Sequence, residues 1–331
     1  MIGKVNPQLA LLDSFSNGNR STRSDRMLTT IDTLIDWDGL VEPIRATYAK
    51  TGRPSLDAVL GLKCLLLMQL YHLSYPELEE QINDRISFRR FLGLGLSDDA
   101  PDFSTFWKFR ERLVEHRLYD TLFTAVVAAI EARGYLVKEG TIVDATLIDA
   151  NRRMPPKQTA VDAPAEPPPP RRPQEDRDAT VTKKRSRTYY GYKGHIGIDR
   201  GSGIIRKQHF TTASGHDSVA AETLISGDEF VVYGDKAYHN GRIKEYCDKR
   251  VIAFGILEQA RSNRPLPHAS KVANDLKEVV RKAVERTFAH LKRVHRYTRV
   301  RSVSLLRNAA DFALLCIGYD LKRCTVLMER G

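Results

Sequence analysis

Three acidic residues stand where their carboxylates could hold metal ions: Asp144, Asp235 and Glu285. Asp144 lies inside TIVDATLI, a β-branched and apolar run that predicts a buried strand. A carboxylate buried there costs several kcal/mol unless it is paired or bound to a metal. Asp235 ends a second predicted strand, EFVVYGD, and Glu285 lies on a late basic helix. Taken alone, Asp235 is more often a cap and Glu285 an ion-pair partner of Arg281, so the prediction depends on all three together.

Three carboxylates at such positions are typical of enzymes that transfer phosphoryl groups with a pair of divalent ions. Two ions about 3.5–4 Å apart activate a nucleophilic oxygen and stabilise the leaving oxygen. Mg²⁺ prefers oxygen ligands and keeps several waters, so two or three carboxylates suffice. We therefore expect two Mg²⁺ ions per site, with Mn²⁺ as a substitute.

The helix that carries Glu285 also carries cations at a regular spacing. Arg281, Glu285 and Lys292 stand at i, i+4 and i+11 in the stretch VVRKAVERTFAHLKRVHRYTRVR and share a face of the helix. An arginine fork binds phosphate at two points, and a lysine binds it as a point charge. Arg281 and Lys292 are thus candidates for contacts with a phosphate near the three acids.

The rest of the chain divides into regions of different pattern. Residues 1–24 are polar and predict a flexible arm, and residues 25–135 show helical periodicity throughout. From Thr141 the pattern changes to strands alternating with helices, which defines a second domain over 136–331. Residues 151–188 interrupt it with eight of the fifteen prolines and predict a disordered insert.

The order of elements after residue 136 is β-β-β-α-β-α-β-loop-α. That order predicts a ribonuclease H-like mixed sheet with helices on both faces, an α/β fold that follows an all-helical N-terminal domain. In such a sheet the first and fourth predicted strands are neighbours and the late helix packs across them. The three acids are therefore expected to converge.

A net charge of +11 favours a polyanionic partner, with nucleic acid ahead of a membrane surface. His195, on the strand predicted beside Asp144, is a candidate DNA contact, although such a histidine is more often a core residue. Basic residues of the helical domain are further candidates, although charge runs are usually solvated. The complete set of predicted DNA contacts is Arg281, Lys292, Lys193, His195, Arg89, Arg90, Lys108 and Arg110.

Localisation follows from what the sequence lacks. The four cysteines form no CxxC pair and have no histidine at zinc spacing, so a zinc site is not expected. No secretory signal is legible, and the longest apolar run is too short to span a bilayer. We expect a cytoplasmic protein that is associated with the nucleoid when bound to DNA and has no membrane partner.

Several motifs together resemble the DDE transposases of bacterial insertion sequences, in particular the fifth insertion-sequence family. They are VDATLIDA, YKGHIGID, TTASGHD, GDKAY and RKAVERTFAHLK, and GRPSLDAVLGLKCLLLMQLYHLSYPELEEQ in the helical region. The resemblance implies that Asp144, Asp235 and Glu285 are the catalytic triad. It also implies a pattern Y-(2)-R-(3)-E-(6)-K on the late helix, in which Glu278 here stands at the tyrosine position.

The resemblance implies a transposase that recognises terminal inverted repeats through its N-terminal helices and catalyses DNA cleavage and strand transfer. Its partners would be the element's ends and a target DNA, and synapsis of two ends predicts a homodimer on DNA. Two alternatives remain open at this stage. One is an inactive or repurposed DNA-binding relative, and the other is a ribonuclease H-like nuclease without strand transfer.

Overall fold

The computed structural model describes residues 22–49, 51, 55–95, 97–155, 176–184, 186–260 and 265–329. Nearly all of the predicted N-terminal arm, 1–24, lies outside the described residues. The first described residue, Thr22, caps the first helix by accepting a hydrogen bond from the backbone N–H of Asp25.

The N-terminal region is helical, as its periodicity predicts. Its helices are α1 (Arg23–Leu34), α2 (Trp37–Arg45), α3 (Ala58–Tyr71), α4 (Tyr75–Asp84), α5 (Ile86–Leu92), α6 (Phe103–Glu115) and α7 (Leu118–Ala132). Helix α3 is buried on nearly all sides because its sequence AVLGLKCLLLMQLY is apolar around its whole circumference. Asp57 and Asp102 cap α3 and α6 by accepting hydrogen bonds from the backbone N–H groups of Leu60 and Thr105.

Helix α3 is also the most apolar candidate for a membrane segment. Within the described residues, no single helix has the length and hydrophobicity to cross a bilayer. Helices α3 and α4 satisfy such a test only when taken together, and a bend of 101° separates them.

A mixed six-stranded sheet follows. Its strands are β1 (Thr141–Asp149), β2 (Thr180–Lys184), β3 (Arg187–Asp199), β4 (Ile205–Thr212), β5 (Val231–Gly234) and β6 (Ala253–Ile256). The order β2-β3-β1-β5-β6, with β4 also paired to β3, places β1 antiparallel to β3 and parallel to β5. The helices here are α8 (Asp217–Ala220), α9 (Gly241–Asp248), α10 (His268–Arg293) and α11 (Leu305–Met328).

The two faces of this sheet are distinguished by the side chains of β1, because successive residues of a strand point to opposite sides. One face, here called the His195 face, bears Val143 and is covered by an apolar cluster that includes Leu224 and Ile243. The other, the Asp144 face, is covered by α10 and by Phe312 of α11. Helices on both faces and this strand order confirm the predicted ribonuclease H-like arrangement.

The insert predicted as disordered over 151–188 is partly ordered. Residues 156–175 lie outside the described residues, but Thr180–Lys184 forms strand β2 and pairs antiparallel with the start of β3. The prediction was wrong for this part because composition measures only the local tendency to order. The strand gains its hydrogen bonds from β3, which is a tertiary partner.

By its contacts the chain divides into two compact units. One comprises the described residues of Met1–Val137, Gly201–Ile205 and Ala313–Gly331, and the other comprises Lys138–Arg200 and Arg206–Phe312. The predicted boundary at residue 136 falls next to this division. The predicted second domain also included the end of α11, which groups with the helical unit because its contacts lie there.

Candidate active site

Asp144 and Asp235 lie at equivalent positions on two neighbouring parallel strands. In the β1–β5 pairing, Val143 stands opposite Gly234; Asp144 is the next residue of β1, and Asp235 directly follows the end of β5. Parallel strands present such residues at one level of the sheet. The register therefore brings together two of the three acids that the sequence singled out.

The carboxylate of Asp144 is largely buried within the second unit. Its side chain is 19% exposed, and its Oδ1 accepts a hydrogen bond of 2.8 Å from the backbone N–H of Ala145. Burial is the main cause that raises the pKa of Asp144 from 3.8 to about 6, and the negative charge of Asp235 raises it further. Arg281 counteracts this effect through an ion pair of 3.2 Å between its Nη1 and Asp144 Oδ2.

Asp235 combines two roles. It follows the last residue of β5 and caps the short 3₁₀ turn Lys236–Tyr238, where its Oδ1 accepts a hydrogen bond of 2.7 Å from the backbone N–H of Lys236. A capping carboxylate is fixed in direction because one oxygen is tied to the backbone. The cap is the ordinary role considered for this residue, and here it holds the carboxylate beside Asp144.

Glu285 is joined to these acids through Arg281. Glu285 lies on α10 with a side chain that is 57% exposed, and its Oε1 is 3.2 Å from Arg281 Nη2. The same guanidinium contacts Glu278 at 2.7 Å and 3.0 Å. Hydrogen bonding to Glu278 is the main cause that raises the pKa of Arg281 above its ordinary value. Arg281 thus forms ion pairs with three carboxylates, two from its own helix and one from β1.

The donor set suits a hard divalent cation, since carboxylate oxygens are the ligands that Mg²⁺ prefers. The carboxylates are not gathered into a complete ligand group. Among the residues that the structure describes, no cluster of three or more His, Cys, Asp or Glu side chains is arranged to hold a metal ion. The guanidinium of Arg281 lies instead between Asp144 and Glu285 and balances their charge. The residues fit a metal by type and charge, with Arg281 in the position of a competing cation.

A cavity of about 610 Å³ opens beside this cluster. Asp235, Glu278 and Arg281 line it, and so do acidic residues outside the cluster, Glu258 and Asp275. Of the three acids, Asp235 belongs to this lining and Asp144 and Glu285 do not, so the cavity gives access to Asp235 and Arg281.

Lys292 approaches the site from the last turn of α10. Its Nζ donates a hydrogen bond of 3.1 Å to the backbone oxygen of Leu147 on β1. Burial lowers the pKa of Lys292, and the positive charge of Lys184 on β2 lowers it further. Lys184 acts on Asp144 as well, so the strand that composition did not predict adds a cation to the cluster.

Lys193 and His195, both predicted as DNA contacts, lie on the opposite face of the sheet. They stand across from Leu147 and Ala145 and therefore share the face of Val143. His195 is fully buried 2.9 Å from the Thr211 hydroxyl, and burial lowers its pKa from 6.5 to about 4. Lys193 donates to Asp217 at 2.9 Å and to the Gly215 carbonyl at 2.7 Å. The structure does not support either residue as a DNA contact.

Two of the four predicted DNA contacts in the helical unit are buried. Arg89 is buried and donates to the carbonyl oxygens of Gly95 and Asp98, so it fixes the turn after α5. Arg110 is buried too and pairs with Glu111 at 2.8 Å. Both arginines are buried and paired within this unit, and as DNA contacts they stay predictions.

Two basic residues of the helical unit remain at its surface. Arg90 is 35% exposed at its side chain and pairs with Asp25 at 2.7 Å. Lys108 is exposed on α6. Both stay predictions as DNA contacts.

One residue near the site had not been singled out. Tyr238, the last residue of the GDKAY motif, is 1% exposed on the His195 face, and its hydroxyl is buried without a hydrogen-bond partner among the described residues. Burial raises the pKa of Tyr238, and the charges of Asp144 and Asp235 contribute. Tyr238 lies near the acids because the chain turns directly after Asp235. The GDKAY motif alone does not predict that turn.

Comparisons with known proteins found matches over most of the chain. Residues 135–321 match the family described as "Transposase DDE domain", and residues 16–112 match the family described as "Transposase domain (DUF772)". Among solved structures, the chain is similar to the piggyBac transposase in a synaptic complex with hairpin DNA, determined by cryo-electron microscopy. That match has 10% sequence identity and a TM-score of 0.43, and it covers 93% of this chain and 75% of the other. A likeness at that level carries no argument about residues or function.

Proposed function

The chain belongs to the DDE transposases, a family of DNA-acting enzymes, and from that premise we propose that it cleaves the ends of an insertion sequence and joins them to a target DNA. The observation that supports this most directly is the register of β1 against β5, which sets Asp144 beside Asp235. Arg281 connects this pair to Glu285 on α10. We propose these three acids as the catalytic triad.

Each acid has a distinct part in this proposal. Asp144 and Asp235 hold the positions of their oxygens through backbone hydrogen bonds, at 2.8 Å from Ala145 and 2.7 Å from Lys236. Glu285 is the most exposed of the three and lies on a helix, so its side chain can turn towards the pair. Preorganised groups of this kind lower the cost of reaching the transition state.

DDE transposases generally use divalent metal ions, and we propose that this chain uses two Mg²⁺ ions, with Mn²⁺ as a substitute. Such ions would activate the attacking oxygen and stabilise the leaving oxygen of the cleaved phosphodiester. The chain's own contribution is to hold the three carboxylates, to keep Arg281 beside them, and to place Lys292 at the adjoining end of β1.

We propose that DNA binds beside the three acids, against the cations that surround them on the α10 side of the sheet. Arg281, Lys292 and Lys184 are the phosphate-binding candidates there. The helical region, with Arg90 and Lys108, would recognise the terminal inverted repeats. Synapsis of two element ends supports a homodimer on DNA.

The test replaces each acid with its amide in separate proteins: Asp144→Asn, Asp235→Asn and Glu285→Gln. Each variant should lose cleavage and strand transfer by at least about a thousandfold, because each amide removes a charged oxygen ligand. DNA affinity should change less than about threefold, since phosphate contacts come from the basic residues. Cleavage of a supercoiled donor and joining of a labelled 3′-OH end, with and without Mg²⁺, measure both steps.

The matched control is Asp275→Asn on α10, the helix that carries Glu285. Asp275 lines the neighbouring cavity but is not among the three acids, so this variant should retain activity. Full activity in any of the three amide variants would contradict the assignment of the triad. Cleavage without joining would indicate a nuclease rather than a transposase.

A further inference from the structure

Arg281 has three carboxylate partners, and Glu278 is the strongest of them by geometry. Glu278 accepts from Arg281 Nε at 3.0 Å and from Nη2 at 2.7 Å, which makes a two-point contact with one edge of the guanidinium. Asp144 and Glu285 each accept one longer bond, both of 3.2 Å. A two-point pair of this kind is stronger and more directional than a single ion pair.

The helix spacing explains the arrangement. Glu278 and Glu285 stand at i−3 and i+4 from Arg281, so α10 presents both acids to the same guanidinium. The two-point contact occupies the Nε edge and leaves Nη1 directed to Asp144. Glu278 is 35% exposed at its side chain, and it lines the cavity together with Asp235 and Arg281.

A divalent cation at the triad would face a difficulty if Arg281 had no other partner. A guanidinium keeps its charge at every working pH, so it cannot yield its place by losing a proton. It has to move away from Asp144 and Glu285, and a half-buried charge that moves needs another acceptor. Glu278 is such an acceptor and is already in contact with it.

Building on the proposed function, we propose that Glu278 is a positioning residue that retains Arg281 as a displaceable counter-ion of the triad. Without a divalent cation, Arg281 bridges Asp144 and Glu285 and prevents their mutual repulsion. When a cation binds the carboxylates, Arg281 gives up those two contacts and stays on Glu278, beside the site and turned towards the DNA phosphate. Glu278 therefore sets the affinity of the triad for divalent ions.

The experiment measures Mn²⁺ binding to the full-length protein by electron paramagnetic resonance, in the absence of DNA. Glu278→Gln should weaken Mn²⁺ affinity by about fivefold to tenfold, because the ion then competes with an Arg281 that has only the triad as a partner. Asp275→Asn is the matched control, since it removes one carboxylate from the same cavity and helix. Within the described residues Asp275 is not a partner of Arg281, so its effect should stay below about twofold.

A double-mutant cycle separates retention of Arg281 from a simple loss of charge. In an Arg281→Met background, Glu278→Gln should change Mn²⁺ affinity by less than about twofold, because there is no guanidinium left to retain. An equal effect in both backgrounds, or an effect equal to that of Asp275→Asn, would overturn the proposal. Glu278→Asp, which keeps the charge with a shorter reach, should give an intermediate affinity and serves if Glu278→Gln does not fold.

This outcome is distinguishable from failure of the proposed function. If Asp144→Asn leaves Mn²⁺ binding unchanged, the triad is not the metal site and the function itself fails. If Asp144→Asn abolishes binding while Glu278→Gln leaves it unchanged, the triad stands and only the role of Glu278 is rejected.

Discussion

The two faces of the sheet are built from the same strands and treat charge in opposite ways. On the His195 face, Val143 joins an apolar cluster, His195 is buried, and Lys193 is tied to Asp217. On the Asp144 face, Asp144 pairs with Arg281, which also pairs with two acids of α10. One face ties its polar groups to fixed partners, and on the other a single arginine is shared among three carboxylates.

This difference shows how one strand can serve both stability and chemistry. Alternation along β1 sends Val143 into the core and Asp144 to the charged cluster within a single step of the chain. The closed face fixes the position of the strand, and that position fixes the carboxylate. Changes on the His195 face should therefore alter mainly stability, and changes on the Asp144 face mainly ion and DNA binding.

The largest effect on stability is expected at Gly197 on the closed face. A Cβ at this position would lie 2.4 Å from the backbone oxygen of Leu224, which cannot move aside as a side chain can. Gly197→Ala should reduce the free energy of unfolding by about 3 kcal/mol, because overpacking against backbone forces the elements apart. Urea denaturation followed by circular dichroism measures the change.

Gly241→Ala is the control for Gly197→Ala. Gly241 is the first residue of α9, and a Cβ there would meet nothing within 4 Å. Alanine favours helix and restricts the unfolded chain, so stability should be unchanged or higher by up to about 1 kcal/mol. Equal losses in the two variants would show that the His195 face is not closed as described.

The elements that hold these residues could be predicted from the sequence, whereas several of their partners could not. TIVDATLI and EFVVYGD predict strands because β-branched and apolar residues favour pleated, half-buried surfaces. The pairing of Val143 with Gly234 is a contact across about 90 residues, and no local pattern specifies such a register. Element order nevertheless favoured the correct neighbours, since few arrangements of a mixed sheet satisfy it.

The buried basic residues show more clearly what the sequence cannot predict. Arg89 was predicted as a DNA contact, and charged residues rarely lie inside a protein. It is buried because the carbonyls of Gly95 and Asp98 satisfy its donors, and these partners become available only when the turn after α5 forms. Strand β2 was missed for a similar reason, since β3 supplies its hydrogen bonds.

The two faces should respond to pH in opposite directions. Burial holds the pKa of His195 at about 4, below its ordinary 6.5, so its stabilising contribution is complete above pH 6.5 and is lost as the pH falls towards 4. Burial raises the pKa of Asp144 from 3.8 to about 6, so its contribution is complete below pH 3.8 and is lost as the pH rises through 6. Each shift corresponds to about 3 kcal/mol.

Two variants measure these contributions separately, in chelator and without DNA. His195→Gln should narrow the loss of stability between pH 6.5 and 4, because glutamine takes up no proton there. Asp144→Asn should be more stable than the unmodified protein at pH 7 by about 3 kcal/mol and equal to it near pH 4. Parallel pH profiles for the two variants would contradict the assignment of opposite roles to the two faces.

The smallest and most specific difference is expected between two half-buried lysines that lie on opposite faces. Lys292 donates to the Leu147 carbonyl on the side where we propose that DNA binds, whereas Lys193 is tied to Asp217 on the His195 face. Lys292→Met should weaken binding to the element's end by about threefold to tenfold and reduce the salt dependence by about one ion, because one phosphate contact is lost. Lys193→Met should leave DNA affinity within about twofold and lower stability by about 1 kcal/mol, since Asp217 then lacks its partner. Fluorescence anisotropy at several salt concentrations decides between them, and an equal loss of DNA affinity in both variants would place DNA on both faces and remove the distinction between them.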